Sequence, residues 1–423
     1  MSTFRRTISI LAVTLGGLTV ASQSGADNAI VGWHAVMESS VPASGRKNAV
    51  ALPYYAYVDV AMYDAVSAID HRFQPFAVRV DAPRGASEDA AAASAAHDVL
   101  LHYLPAQAAT FDAALASSLA SIADGQSKTD GISVGHAVAA QWLALRTGDG
   151  LEAPLTYTPG HGPGIWEPVP TYPAPPPNTP PAPVGVWMAQ FRPFALTSAD
   201  QFLADIPPPP PLKSATWTRN FNLTKTYGEQ NSAVRTPAQT EIGRFWTDDA
   251  AAQYSRAFRS LVASQGLSTA EAARLAAMYS VAASDAVTAC MNAKYHFAFW
   301  RPYTAIHDAD TDSNPNTVAD PNWVPLAVTP GHPEYPANHD CVTEAVMDAM
   351  TAFFQTVQIP YSVTSTVTGT THSFNSFEDV VTEVDNARIY GGMHYRHSVM
   401  QGKRLGRLVT EFVLRNNLKA SDK

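Results

Sequence analysis

A capping box at Ser268 and Glu271 opens an apolar pattern that meets no Gly or Pro until after Trp300. This predicts one long helix that delivers Lys294 near its end. Pro302 then closes the pattern. Strand-like alternation is scarce elsewhere, and no internal repeat is evident. The chain therefore reads as all-α, with helical bundles sharing one core.

Four parts are expected: 1–26, 27–152, 153–212 and 213–423. Trp33 to Ile69 carries helical periodicity through Tyr57, Val60, Ala61 and Ala65, with Pro53 restricting its start. Ser87, Glu88 and Asp89 open the next helix with a cap and an acidic first turn, and it runs to Leu104. Pro105 separates it from Ala106–Ile122, and another helix spans Gly131–Arg146. From 153 to 212 proline dominates, yet Trp166, Trp187, Phe191 and Phe194 punctuate the stretch. Aromatics at that density predict a long ordered loop packed on the helices rather than a free linker. Helices return at Ser214. Thr236-Pro237 is a cap with Pro at the first helical position. Asn338 or His339 opens a helix through Phe354, and Tyr361–Phe374 is loop or a short hairpin. Ser376 with Asp379 starts a helix towards Arg388, and the last helix runs from His394 to about Asn416.

Apolar residues make up 46% of the 423 positions and charged ones 15%, a globular composition. The net charge of -9 argues against a nucleic-acid surface, so any functional positive charge has to be local. Residues 1–26 read as an export signal. Arg5 and Arg6 precede the apolar stretch Ile8–Ala21, and Ser24-Gly25-Ala26 resembles a cleavage site. That implies a periplasmic or secreted protein, by twin-arginine or ordinary export. No other stretch resembles a membrane span. Cys290 and Cys341 are the two cysteines. In an exported protein they read either as one disulfide or as two buried thiols.

Three clusters carry the chemistry. K-Y-H-F-A-F-W-R-P supplies Lys294 and Arg301, which are seven apart, almost two turns of a 3.6-residue helix, and so could share a face. G-H-P-E-Y-P-A-N-H supplies His332 and His339. A-R-I-Y-G-G-M-H-Y-R-H supplies Arg388, His394 and His397, with Gly391 and Gly392 letting the chain turn between them. Three fixed cations and two imidazoles suit a tetrahedral or bipyramidal oxyanion held by charge-assisted hydrogen bonds.

In these motifs the chain resembles the vanadium-dependent haloperoxidases and the type 2 phosphatidic acid phosphatases that share their pocket. The pattern Lys-x6-Arg-Pro is met by Lys294, Arg301 and Pro302, and Arg-x5-His by Arg388 and His394. Pro-Ser-Gly-His is met at Pro336 and His339, while Ala337 and Asn338 replace Ser and Gly. The loop's Pro163, Gly164 and Trp166 also match the Pro-Gly-x-Trp of bacterial members. The resemblance implies the helical-bundle fold of that superfamily and a vanadate cofactor, with phosphate competing for its site. It assigns His394 as the metal ligand. Lys294, Arg301 and Arg388, with Asn338 and His339, would bind the oxygens, and His339 would be the acid/base. Substrates would be hydrogen peroxide, a halide and a small organic acceptor. His332 matches the position where bromide-oxidising relatives carry His, which favours bromide; a hydrogen-bonding support role is the other reading. His397 reads as a surface or supporting histidine. Relatives are often homodimers.

The phosphatase alternative takes a phosphomonoester, with His394 as nucleophile and His339 protonating the leaving oxygen. Those phosphatases orient the nucleophile with an Asp four residues on, where this chain has Ser398; Asp385 or Glu383 could substitute. Ala337 removes a hydroxyl donor, a loss on the order of 1.5–3 kcal/mol for a bond to a charged group. A non-catalytic oxyanion-binding homologue is the remaining alternative. His332, Glu334 and His339 lack the i, i+4 spacing of a zinc hydrolase, and no G-x-S-x-G elbow is present.

Overall fold

The structure, a computed structural model, describes residues 28–170 and 180–421. The export-signal expectation lies outside these residues. Thirteen α-helices and one hairpin are seen among the described residues. The expected Trp33–Ile69 helix is two helices, α1 (Ala29–Ala43) and α2 (Leu52–Asp70). Gly45 at φ 89° turns the chain between them, and Pro53 sits in the first turn of α2, where no N–H is needed. Then come α3 (Glu88–Tyr103), capped by Ser87, α4 (Ala108–Ala120) and α5 (Gln126–Arg146), which starts one turn before the expected Gly131.

After the Pro-rich loop come α6 (Ala215–Gly228), α7 (Pro237–Phe245) with a Thr236–Gln239 capping box, and α8 (Ala250–Gln265). The long α9 covers Thr269–Phe297, and α10 is a short Pro302–His307. α11 (Asn338–Phe354) leads to the antiparallel pair β1 (Tyr361–Thr364) and β2 (Thr371–Phe374), with Tyr361 opposite Phe374. α12 (Phe377–Tyr390) and α13 (Arg396–Asn416) finish the fold.

α9 is the axis. Its side chains from Ala270 to Lys294 are buried on nearly every face, because α2 packs on one side and α11 and α13 on the other. One apolar cluster runs from Ala29 to Leu418 and joins the helices before the loop to those after it. The loop belongs to this core, with Trp166, Met188 and Phe191 buried. Asp285 of α9 fixes it by accepting the N–H groups of Phe194, Ala195 and Leu196 at 2.7–2.9 Å.

The loop also ends α9 early. Trp166 N–H donates to Ala298 O at 2.6 Å and Trp300 N–H to Gly164 O at 3.2 Å, drawing 298–300 out of the helix. Ala298 takes the left-handed conformation, φ 46°. Lys294 and Arg301 therefore do not share a helix, and Pro302 starts α10 instead of ending α9. The sequence pattern could not register this pairing, since its partner lies more than a hundred residues away.

α13 crosses the start of α11 at backbone contact. A Cβ added at Gly402 would stand 2.3 Å from Ala337 O, and one at Gly406 2.3 Å from Cys341 O. Gly402→Ala is expected to push the two helices apart and cost about 1–3 kcal/mol, the usual range for overpacking. Denaturant melts of the full chain check this; unchanged stability would mean the crossing relaxes freely.

Candidate functional site

A cavity of about 440 Å³ opens where the N-terminus of α11, the end of α12 and the α12–α13 turn meet. Its floor carries His332, Asn338, His339, Arg388, Met393 and His394. α11 begins at Asn338 with Ala337 as its N-cap, and no side chain caps it. Its first amides lack intrahelical partners, and the positive end of the helix dipole faces the floor.

His394 sits in the turn ahead of α13, not in the helix as expected, because Gly392 at φ 71° reverses the chain there. The backbone of Gly392 lies against Gly228 O, 2.6 Å from where a Cβ would be, so only glycine fits. The ring of His394 is fully oriented. Its Nδ1 lies 2.9 Å from Glu334 Oε1, and Glu334 also accepts Tyr395 N–H at 3.1 Å and the Ser398 hydroxyl at 2.6 Å. The other nitrogen, Nε2, meets Arg301 Nη1 at 3.2 Å. With Nδ1–H donating to the carboxylate, Nε2 keeps its lone pair. Burial, reinforced by Arg301, Lys294 and Arg388, holds the ring well below the usual histidine range and hence neutral. A neutral imidazole backed by a carboxylate is the ligating or nucleophilic form.

Glu334 is the residue that sequence reasoning missed in this role. Asp385 and Glu383 do not take it: Asp385 pairs with Lys403 at 2.7 Å, and Glu383 with His372 at 2.6 Å. Ser398 supports Glu334 instead of replacing an aspartate. The retrievable signal was Glu334 itself, an acid in an otherwise apolar and histidine motif.

The cations divide into two kinds. Arg388, in the last turn of α12, lines the cavity; it donates to Trp246 O at 2.9 Å and contacts Met393 Sδ at 3.1 Å. Its Nε is buried without a partner. Arg301 lies behind His394, donating to His332 O at 2.9 Å, Met393 O at 3.0 Å and His332 Nδ1 at 2.9 Å. Lys294 does not line the cavity. Its ammonium donates to Pro333 O at 3.1 Å, Glu334 O at 2.8 Å and Pro336 O at 2.5 Å, which braces the turn bearing the second motif. Burial pushes Lys294 down to about 7, and pushes Glu334 up to about 7 against the pull of Lys294 and its hydrogen bonds.

His339 presents a buried Nε2 with no partner, and Asn338 a buried Oδ1 likewise. His397 stays outside the cavity, its ring stacked on Tyr335 at 5.7 Å. Of the two readings for the cysteines, disulfide or thiols, the structure has the thiols: Cys290 and Cys341 are buried and free, Cys290 directed at Pro336 O (3.6 Å) and Cys341 at Ala286 O (3.3 Å). Among the described residues no three His, Cys, Asp or Glu side chains gather to hold a metal ion, and none of the helices is long and apolar enough to cross a membrane. A second histidine constellation, His34 with Ser255 Oγ at 2.9 Å and Asp59 at 3.0 Å, is wholly buried between α1, α2 and α8. Ser255 donates its hydroxyl to His34 O, and none of the three lines the cavity, so the trio is structural.

An uncapped helix N-terminus, a buried unpaired arginine nitrogen and two neutral imidazoles around one cavity make an oxyanion site. Vanadate would fit it: His394 Nε2, which accepts from Arg301 Nη1 at 3.2 Å, is the nitrogen that would hold the ion, and Arg388 Nε and His339 Nε2 are buried polar atoms without partners that its oxygens would satisfy.

Comparison with known proteins bears on the fold. Residues 274–422 match the family model described as the VCPO second helical-bundle domain. The vanadium chloroperoxidase of Curvularia inaequalis is 28% identical over a match covering 42% of this chain and 34% of that one, so the match spans about a third of the curated relative. The crystal structure of the first bacterial vanadium-dependent iodoperoxidase superposes with a TM-score of 0.75 at 23% identity, covering 94% of this chain and 97% of the other. A holo-type bacterial vanadium-dependent chloroperoxidase gives a TM-score of 0.69 at 16% identity, covering 87% and 92%. At these identities the two structures establish a shared fold.

Proposed function

We propose, from its likeness to the vanadium haloperoxidase superfamily, that the chain is an exported enzyme oxidising halide, bromide in the first place, with hydrogen peroxide. The observation that carries the proposal is His394: a neutral ring, fixed by Glu334, with its Nε2 lone pair presented beside Arg301.

Vanadate, when bound, supplies an electrophilic centre that activates peroxide without changing oxidation state. The rest is the work of this chain. His394 would hold the ion by Nε2, and Glu334 at Nδ1 would keep that nitrogen basic. Arg388 and Arg301 offset the anionic charge, and the first amides of α11 add their dipole. His339, whose buried Nε2 has no partner, would accept the proton that peroxide gives up. Lys294 acts by shaping the turn that carries His332 and Glu334, a structural duty that differs from the direct oxygen contact the resemblance implied. Ala337 contributes only backbone: its N–H donates to Ser398 O at 3.0 Å. His332 lines the cavity with its Nδ1 2.9 Å from Arg301 Nη2.

The His394–Glu334 pair equally favours a phosphatase, since it supplies the carboxylate that Ser398 seemed to remove. One assay pair separates the readings. The full chain, loaded with vanadate, is given peroxide and bromide with a halogen-trapping dye; unloaded, it is given an aryl phosphate. Bromination without phosphatase turnover is the expected result. Turnover of the phosphate ester alone would replace the peroxidase reading, and neither activity would reduce the site to oxyanion binding.

A further inference from the structure

We propose that the mouth of the same cavity binds the organic acceptor, and that the acceptor is an aromatic ring bearing a carboxylate. The inference rests on the haloperoxidase reading for its chemistry and on three observations of its own. The cavity's 440 Å³ lies within the roughly 300–1,000 Å³ of small-molecule sites, far more room than a five-atom oxyanion fills. Above the polar floor its walls turn apolar, with Ala49 in the turn before α2, Leu52 at the start of α2, Leu326 and Val328 from the segment before the second motif, and Val342 on α11. Val328 is 50% exposed at the rim, a large side chain left in water beside a cavity it could help close. Finally, Arg244 at the end of α7 lines the cavity, is exposed, and its guanidinium makes no hydrogen bond or ion pair among the described residues. The arginines of α8 differ: Arg256 pairs with Glu38 and Asp248, and Arg259 with Glu38.

An apolar wall with one unengaged guanidinium at its edge and an oxyanion cradle at its base selects a guest by shape and charge. The ring packs on Leu52, Leu326 and Val342, its carboxylate reaches Arg244, and the opposite edge of the ring points at the floor. Halogenation there balances simply. Peroxide, halide and a proton give hypohalous acid and water. The ring's π electrons then take the halogen, so that a carbon–halogen bond forms while the O–X and C–H bonds break. The ring proton and the hydroxide leave together as water. The halogen is reduced by two electrons and the ring carbon oxidised by two. Arg244 acts on position alone and takes no part in halide oxidation.

Calorimetry of the full chain without vanadate, using 4-hydroxybenzoate against phenol, tests the binding independently of turnover. The carboxylate is expected to favour binding about fivefold, the upper worth of one partly exposed ion pair, and Arg244→Gln to shrink that preference to within about twofold. In turnover the loaded enzyme should halogenate 4-hydroxybenzoate over phenol in a higher ratio than reagent hypohalous acid does, and Arg244→Gln should return the ratio to the reagent value. Equal binding, no binding, or a preference that survives in Arg244→Gln overturns the proposal while leaving halide oxidation intact. Loss of halide oxidation with binding preserved would instead sink the peroxidase reading.

Discussion

In Glu334→Gln the affinity for vanadate is expected to fall roughly 10- to 100-fold, the usual consequence of losing the partner behind a ligating histidine. Gln is nearly the same size. Its Oε1 can still accept Nδ1–H of His394 and the N–H of Tyr395, while its amide faces the Ser398 hydroxyl, which can accept. What disappears is the charge that keeps Nε2 basic. His394→Ala should go further and reduce bromination to background at any vanadate concentration, because no other imidazole is backed by Glu334. Vanadate titration of bromination, with phosphate calorimetry as a separate reading, distinguishes the two. Phosphate binding should persist weakly in both variants through Arg388 and the α11 amides. If Glu334→Gln bound vanadate as tightly as the parent chain, the carboxylate would be a structural anchor and the account of His394 would fail.

The largest expected effect on stability is at Arg146, far from the cavity. This side chain closes α5. Its Nε pairs with Asp149 at 2.8 Å, its Nη1 donates to Pro193 O at 3.0 Å and its Nη2 to Arg192 O at 2.5 Å. The guanidinium also lies over Phe194, Phe191 and Tyr57 at 4.6, 5.2 and 5.3 Å. Arg146→Met keeps the packing volume but leaves Asp149 buried with Tyr57 and no cation. Breaking a buried pair this way costs about 3–5 kcal/mol. Residues 192–196 of the Pro-rich loop should loosen first, since Arg146 and Asp285 hold their backbone. Denaturant midpoints together with hydrogen exchange at 192–196 would register both effects, and a variant as stable as the parent would show that the aromatic packing alone holds the loop.

Much of this architecture was legible from local chemistry. Capping boxes at Ser268 and Ser376, the Ser87 cap and Pro237 at a first helical turn mark helix starts because they satisfy amides within three or four residues. The oxyanion motifs were legible for a similar reason: arginine and histidine at fixed spacing around Gly391-Gly392 carry their chemistry with them. Where the chain had to choose between local pattern and distant partner, the pattern misled. The break after α1 and the early end of α9 are such cases, and in the second a backbone pairing with Gly164 and Trp166 outweighed helical periodicity.

By itself, then, the sequence determined the helical class, the order of the elements and the five residues of the anion motifs, since each depends on side-chain type and short spacing. Only the tertiary structure decided their duties. It separated Arg388 and His339, which face the cavity, from Lys294, whose three donors are consumed by backbone carbonyls. It also set Glu334 behind His394 across sixty residues of chain. Burial is the physical reason: in a dry interior each donor and acceptor must find a partner, and which partner it finds is fixed by how the helices pack.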